Sequence, residues 1–216
     1  MASTPAASPV SPPVRRGRPR KSAEERDENQ RRADLVREAA RLFRMQGFDG
    51  TSTRDIAAAA GMHSGSPFYY FDSKTALLAA VMQGGMADAT ARQTRILQAL
   101  GGHAPPREQL RALIGQHLQG CLGKGSDFIP VMLYEWHKLS PAQRSAIARQ
   151  KDVYEAAWMP ALEALHQAGQ LRADPQVARL FIFGALNWTV QWFRPRGRLK
   201  LDDLATHAMR LFVGGS

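Results

Sequence analysis

Thr51–Lys74, TSTRDIAAAAGMHSGSPFYYFDSK, is the stretch whose reading decides the fold. Thr51, Ser52 and Thr53 offer hydroxyl caps to a helix, and Arg54-Asp55-Ile56-Ala57-Ala58-Ala59-Ala60 is a run of strong helix formers. Gly61 is the expected stop, because a left-handed residue there costs glycine little. His63 or Ser64 caps a second short helix, which Phe68, Tyr69, Tyr70 and Phe71 close. Two short helices joined around a glycine make the helix-turn-helix pattern, whose second helix enters the DNA major groove.

Such a pair is too small to stand alone, and its flanks supply the cover. From about Glu25 to Gln46, Leu35, Ala39, Leu42 and Phe43 recur at helical spacing with charged residues between them. This stripe is the expected partner of Ile56, Ala60 and Phe71, and Gly47 ends it. On the other side, Asp72 or Ser73 caps a long helix that starts near Lys74 and runs to about Leu100. Its apolar face is Ala76, Leu77, Leu78, Val81, Met82 and Met86. Gly84-Gly85 inside it costs roughly 1 kcal/mol per residue against alanine, so a kink or break is expected there.

Residues Met1–Val14 are mostly Ala, Ser, Thr and Pro, which cannot bury enough surface to fold. The basic run Arg15-Arg16-Gly17-Arg18-Pro19-Arg20-Lys21 follows. It reads either as a solvated charge cluster or as an arm that neutralises phosphates and slides arginines such as Arg18 into a narrow minor groove. Its core, Arg-Gly-Arg-Pro, resembles the AT-hook element. The whole chain of 216 residues carries a formal net charge of +10, which favours an anionic partner, nucleic acid ahead of a membrane surface. Cys121 is the single cysteine, so no disulfide forms within the chain. No apolar run approaches the roughly 20 residues that span a bilayer, and no apolar signal core opens the chain, so a cytoplasmic location is expected.

The second half is helical punctuation with apolar periodicity, without an alternating strand pattern. Glu108–Leu122 places Leu110, Leu113, Ile114, His117 and Leu118 on one face, and Phe128–Leu139 is a short apolar helix. On it Glu135 and His137 flank Trp136 as an expected buried, hydrogen-bonded pair. Ser140-Pro141 caps a helix expected to reach Gln167, and Asp174-Pro175 opens another. Ala178–Phe193 is apolar nearly all round, which in a soluble chain predicts one side in the core and the other against a second subunit. Leu199–Val213 is a last amphipathic helix. The expected class is all-α: a basic arm over residues 1–24, a three-helix helix-turn-helix domain over 25–73, and a helical ligand-binding and dimerisation domain over 74–216.

In this order the chain resembles the TetR family of transcriptional regulators. The resemblance is carried by Ala39-Ala40-Arg41-Leu42-Phe43, Gly47-Phe48, Thr51 to Ala57, Ala60-Gly61, Ser64-Gly65-Ser66, Phe68 to Phe71, Ser73-Lys74 and Leu77-Leu78. It implies an all-helical homodimer on a palindromic double-stranded operator. Thr53 and Arg54 would meet the backbone or a base edge, and Ser64, Gly65 and Ser66 would approach the groove floor. Tyr69, Tyr70 and Lys74 would hold phosphates. Pro67-Phe68 departs from the family pattern, in which an aliphatic or aromatic residue precedes Tyr. Proline is tolerated in a first helical turn, so the second helix is expected to start late or tightly.

The distal half, from about Val131 to Val213, resembles more loosely the branch that senses CoA thioesters. That implies an effector such as an acyl-CoA, with an aromatic or drug-like ligand as the alternative. Phe128, Met132, Trp136, Tyr154, Trp158, Phe181 and Trp188 are candidates for an apolar tunnel, and Arg194, Arg196 or Arg198 for its phosphate end. The same aromatics also suit an ordinary core and dimer seam. No cofactor or metal is implied: six histidines show no metal spacing on one helix, and Cys121 has no base near it in sequence. Catalysis is the disfavoured class.

Overall fold

Ser52 is the residue that starts the first short helix. Its hydroxyl accepts from the backbone N–H of Asp55 (3.1 Å), while the Asp55 carboxylate accepts from the Ser52 N–H (2.9 Å), a reciprocal capping box. The helix ends as expected at Gly61, which has φ 68°. Gly61 N–H donates to Ala58 O and Met62 N–H to Ala57 O, the paired bonds of a Schellman stop.

The computed structural model describes residues 23–63, 67–123, 125 and 127–214. Its α-helices are α1 (Ala23–Gln46), α2 (Thr53–Ala59), α3 (Pro67–Tyr70), α4 (Lys74–Leu100), α5 (Pro106–Leu122), α6 (Phe128–Glu135), α7 (Pro141–Ala156), α8 (Met159–Gln167), α9 (Pro175–Trp192) and α10 (Leu201–Phe212). A 3-10 turn, Trp136–Lys138, extends α6, and no strand occurs among the described residues. Ala23 and Glu24, read from composition as part of the arm, are the first residues of α1.

The head, α1 to α3, buries Leu35, Ala39, Leu42, Phe43, Ile56 and Phe71 against Leu77 and Leu78 at the start of α4. Ser73 caps α4, its hydroxyl accepting from Ala76 N–H. Beyond the head, α5 runs through the middle of the regulatory half, packed on α4, α8, α9 and α10. Leu110, Leu113, Ile114, His117 and Leu118 are all buried there, as their spacing predicts.

Three expectations are corrected. α4 is continuous through Gly84-Gly85. A Cβ on Gly85 would lie 2.1 Å from Phe128 Cγ, so this glycine admits the α6 ring onto the α4 backbone rather than breaking the helix. The helix expected over 141–167 is two, because Pro160 lacks an N–H and its ring excludes the carbonyl of Ala156, where α7 stops. Glu135 and His137 are not a buried pair. His137 is exposed, and Glu135 instead accepts from the backbone N–H of Phe48 at 2.9 Å.

Candidate nucleic-acid interface and effector cavity

The candidate DNA-facing surface is built from the first turn of α2 and from α3. Arg54 is exposed and Thr53 half-buried. α3 begins at Pro67, as the proline's preference for a first helical turn predicts, and Phe71 N–H closes back on Pro67 O. Pro67 itself is buried, while Phe68 and Tyr69 project outward, 58% and 76% exposed. Tyr70 is half-buried and packs edge-on against Tyr69, ring centroids 5.0 Å apart. The Tyr69 hydroxyl donates to the Glu28 carboxylate of α1, which holds its pKa above the usual phenol value. Arg18, Ser64, Gly65 and Ser66 lie outside the described residues.

Lys74 is placed otherwise than expected. Its ammonium donates to Phe48 O (2.8 Å) and Thr51 O (2.9 Å) and stands 4.2 Å from the centroid of the Phe48 ring. Two of its three N–H groups therefore tie the start of α4 to the α1–α2 loop, leaving one donor for a phosphate. Its first role here is structural.

The distal half holds a partly open cavity of about 30 Å³ between α4, α5, α6, α7 and α9. Phe128, Ile129, Met132, Met86 and Phe183 give it apolar walls, and His117, Tyr154 and Asn187 give it polar ones. His117 Nδ1 lies 3.0 Å from the Tyr154 hydroxyl, and its Nε2 lies 3.1 Å from Asn187 Oδ1. The Tyr154 hydroxyl lies within donating distance of Gln116 Oε1 (3.2 Å). Trp158 Nε1 donates to Gln93 Oε1, and Gln93 Nε2 donates to the backbone carbonyl of Tyr154. Burial pushes the His117 pKa down to about 4, so the ring is neutral at pH 7. Burial also pushes the Cys121 thiol up to about 12, which leaves little nucleophilic thiolate. At the α7 wall, the Glu155 carboxylate is buried and paired with Lys151 and Arg179.

The chain matches two family models: "Bacterial regulatory proteins, tetR family" over residues 35–81, and "Tetracyclin repressor-like, C-terminal domain" over 103–216. The protein belongs to the TetR family. It is thus a DNA-binding transcriptional regulator, with its helix-turn-helix in α2 and α3. Among curated TetR-type relatives, the HTH-type transcriptional repressor KstR2 of Rhodococcus jostii (strain RHA1) is 28% identical over 190 residues, covering 86% of this chain and 90% of that one. Among solved structures, the superantigen PfiT is 37% identical with a TM-score of 0.73, covering 88% of this chain and 100% of the other. AibR in complex with isovaleryl coenzyme A and operator DNA is 29% identical with a TM-score of 0.74, covering 84% and 98%.

Within this TetR architecture, three of the ten candidate effector residues, Phe128, Met132 and Tyr154, meet at the cavity. The other seven do not: Phe181 is 69% exposed on α9, and Arg196 and Arg198 are exposed beyond it. Trp158 is fully buried behind it, 4.6 Å from Phe183 between ring centroids, and acts as core. Trp136 is half-buried in the 3-10 turn after α6. Trp188 is 64% exposed on the opposite side of α9, and Arg194 is exposed after that helix ends. The cavity is also far smaller than a tunnel. Sequence reading missed His117 and Asn187 as cavity residues, although a histidine on the apolar face of α5 was a visible signal.

α9 splits as its composition predicts. Ala178, Ile182, Phe183, Leu186 and Thr189 face the core, while Val177, Leu180, Phe181, Trp188 and Trp192 form an exposed apolar stripe. No helix is long and apolar enough to cross a membrane, and no cluster of three or more metal-ligating side chains occurs among the described residues.

Proposed function

We propose that the protein is a cytoplasmic homodimeric repressor that leaves a palindromic operator when a hydrophobic acyl thioester, such as an acyl-CoA, enters the regulatory half. In this reading Thr53, Arg54, Tyr69 and Tyr70, with Ser64, Gly65, Ser66 and the arm's Arg18, form the DNA surface. Residues 25–73 act as the reading head and 74–216 as the sensor and dimerisation domain. The exposed α9 stripe pairs two subunits about a two-fold axis, which sets two α3 helices against successive major grooves. The protein binds its effector and does not turn it over.

One observation carries the effector part of this reading. The segment Asp127–Lys138 walls the cavity through Phe128, Ile129 and Met132, and the same segment holds the head. Asp127 pairs with Arg44 (2.9 Å), Glu135 accepts from Phe48 N–H (2.9 Å), and Lys138 pairs with Asp49 (2.5 Å). A cavity of about 30 Å³ has room for a water and none for an acyl chain, so binding requires this segment to move. Moving it shifts the contacts that hold α1 and the α1–α2 loop. A ligand that binds the shifted state better draws the population away from the DNA-binding one. The KstR2 and AibR likenesses support the same direction.

The test is a gel shift on the protein's own upstream region at stated salt, with and without acyl-CoA of short, long and ring-bearing acyl groups. Release by one class supports the reading. Operator binding that no acyl thioester weakens removes the effector assignment and leaves DNA binding intact. Turnover of the thioester during incubation would contradict the non-enzymatic assignment.

A further inference from the structure

Arg92 and Arg95 serve neither the core nor the DNA surface. They stand 18 and 21 residues after Lys74 on α4, about 27 and 32 Å along the helix at roughly 1.5 Å per residue, too far to share the DNA under α3. Neither guanidinium makes a hydrogen bond or ion pair among the described residues. Two like charges one turn apart on one helix face repel, so the fold tolerates them at a cost.

Both arginines line an open cleft of about 1030 Å³ along α4, at the upper end of the roughly 300–1,000 Å³ typical of small-molecule sites. The lining continues onto α5 and onto α1 of the head, which contributes Arg32 and Arg37. Four arginines therefore face two aspartates, and one of these, Asp127, is already held by Arg44. Arg37 is engaged by Asp34 and Glu38, and the face of Arg32 lies over the Phe71 ring, so Arg92 and Arg95 are the lining arginines without an ion pair, hydrogen bond or ring contact among the described residues. Gly84 lines the same cleft, and nothing lies within 4 Å of where its Cβ would be, which leaves room for close approach. Phe128 borders both this cleft and the cavity, so its ring is a wall shared by the two.

We propose that this cleft binds the phosphates of the effector, with Arg92 and Arg95 as the principal cations, while the apolar part passes Phe128 into the cavity. The proposal rests on the effector reading above and adds the site, its chemistry and its consequence for regulation. Guanidinium groups suit phosphate because their fixed forks donate in pairs. Because the cleft lining runs from Arg92 and Arg95 to Arg32 and Arg37 of α1, a ligand with several phosphates that extends along it contacts both halves. The phosphates then bias the position of α1 against α4, and so act on release as well as on affinity. The same chemistry would accept a free nucleotide, and the experiment separates the two sources.

The test uses the full chain and its Arg92→Gln/Arg95→Gln variant, with binding followed by calorimetry at two salt concentrations. The probes are adenosine 3′,5′-bisphosphate, free coenzyme A, a long-chain acyl-CoA, and the same acyl group on N-acetylcysteamine, which carries no phosphate. The expected result is a loss of at least 10-fold in affinity for the two coenzyme A species in the variant, with a shallower salt dependence. Binding of the N-acetylcysteamine thioester stays the same, which also reports that the variant is folded. Equal affinity of both proteins for coenzyme A and for acyl-CoA overturns the cleft assignment. If acyl-CoA also still releases the operator, the effector reading stands without the cleft. If no acyl thioester binds, yet the bisphosphate binds the wild type and not the variant, the cleft stands as a free-nucleotide site and the effector reading falls.

Discussion

Gly84 and Gly85 offer the sharpest test of the packing described above, because one substitution at adjacent positions should have opposite signs. Alanine in place of glycine in a helix interior gains about 1 kcal/mol at either site. At Gly84 the new Cβ meets nothing within 4 Å, so that gain is kept. At Gly85 the Cβ would lie 2.1 Å from Phe128 Cγ, 2.3 Å from Cδ2 and 2.5 Å from Cβ. Carbon atoms pack at roughly 3.5–4.0 Å, so the ring must retreat by about 1.5 Å. Its root is as close as its face, so rotating the ring cannot relieve the clash. Overpacking of this kind costs about 1–3 kcal/mol, which cancels or exceeds the helical gain.

The expected outcome is a Gly84→Ala protein more stable by about 1 kcal/mol and a Gly85→Ala protein less stable by about 0–2 kcal/mol. In a chain of this size 1 kcal/mol moves Tm by roughly 2–4 °C. The assay is thermal and urea unfolding at one fixed protein concentration, since the proposed dimerisation would contribute to apparent stability. A double-mutant cycle completes it. Phe128→Ala should cost less in the Gly85→Ala background than in the wild type, with a coupling of about 1 kcal/mol or more. Equal shifts at the two glycines, or additivity with Phe128→Ala, would refute the claim that Gly85 exists to seat that ring.

His117 titrates at about 4 when folded and near 6.5 when unfolded, so its contribution is complete above about pH 6.5 and is lost as pH falls toward 4. Stability should drop by about 2 kcal/mol between pH 7 and pH 5 from this residue, and a His117→Gln protein should show that much less of a drop in urea titrations. Lys74→Met should destabilise the head by about 2 kcal/mol, because it removes two ammonium–carbonyl bonds, and the loss should appear without DNA present. If Lys74→Met changed only operator affinity, its assignment as a structural tie would fail. The double change Pro67→Leu with Phe68→Tyr should alter operator affinity and salt slope at nearly unchanged Tm, and an unchanged slope would show that no phosphate contact depends on those positions. Glu135→Ala should reduce the effector-induced loss of operator affinity several-fold, more than Lys138→Gln does, in paired gel shifts.

The head was legible because each of its devices is local. Ser52 to Asp55, Ala57 to Met62 and Ser73 to Ala76 close within six residues, so composition and spacing reveal them. The apolar stripes of α1 and α5 were legible for the same reason: a period of 3.6 survives whatever packs against it. Contacts across long sequence separations were not. Nothing near Gly85 announces a ring 43 residues away that would fill its Cβ position. Trp158 and Trp188 look alike in sequence, yet one is 0% exposed and the other 64%, because the turn at Pro160 and the two-sidedness of α9 decide their fates. The structural tie made by Lys74 was not legible, because its carbonyl partners lie more than 20 residues upstream.

The three ties between the head and the Asp127–Lys138 segment are unequal, and in the proposed effector reading the inequality sets where the coupling runs. Lys138–Asp49 and Arg44–Asp127 join partly or largely exposed side chains, and such pairs contribute little once solvent screens them. The Glu135 carboxylate is half-buried and accepts from a main-chain N–H, that of Phe48, whose own side chain is buried. A charge-assisted bond to a backbone donor is worth about 1.5–3 kcal/mol, and a buried donor left without it is costly. That range matches the roughly 1–3 kcal/mol over which allosteric couplings usually lie. Phe48 is also the residue whose carbonyl and ring hold Lys74. A movement of Glu135 is therefore delivered to Phe48, which touches Phe43 near the end of α1, Thr51 before α2 and Lys74 at the start of α4. The two surface ion pairs can orient that segment, but on the effector reading proposed above the energy to reposition the reading helices passes through Glu135 and Phe48.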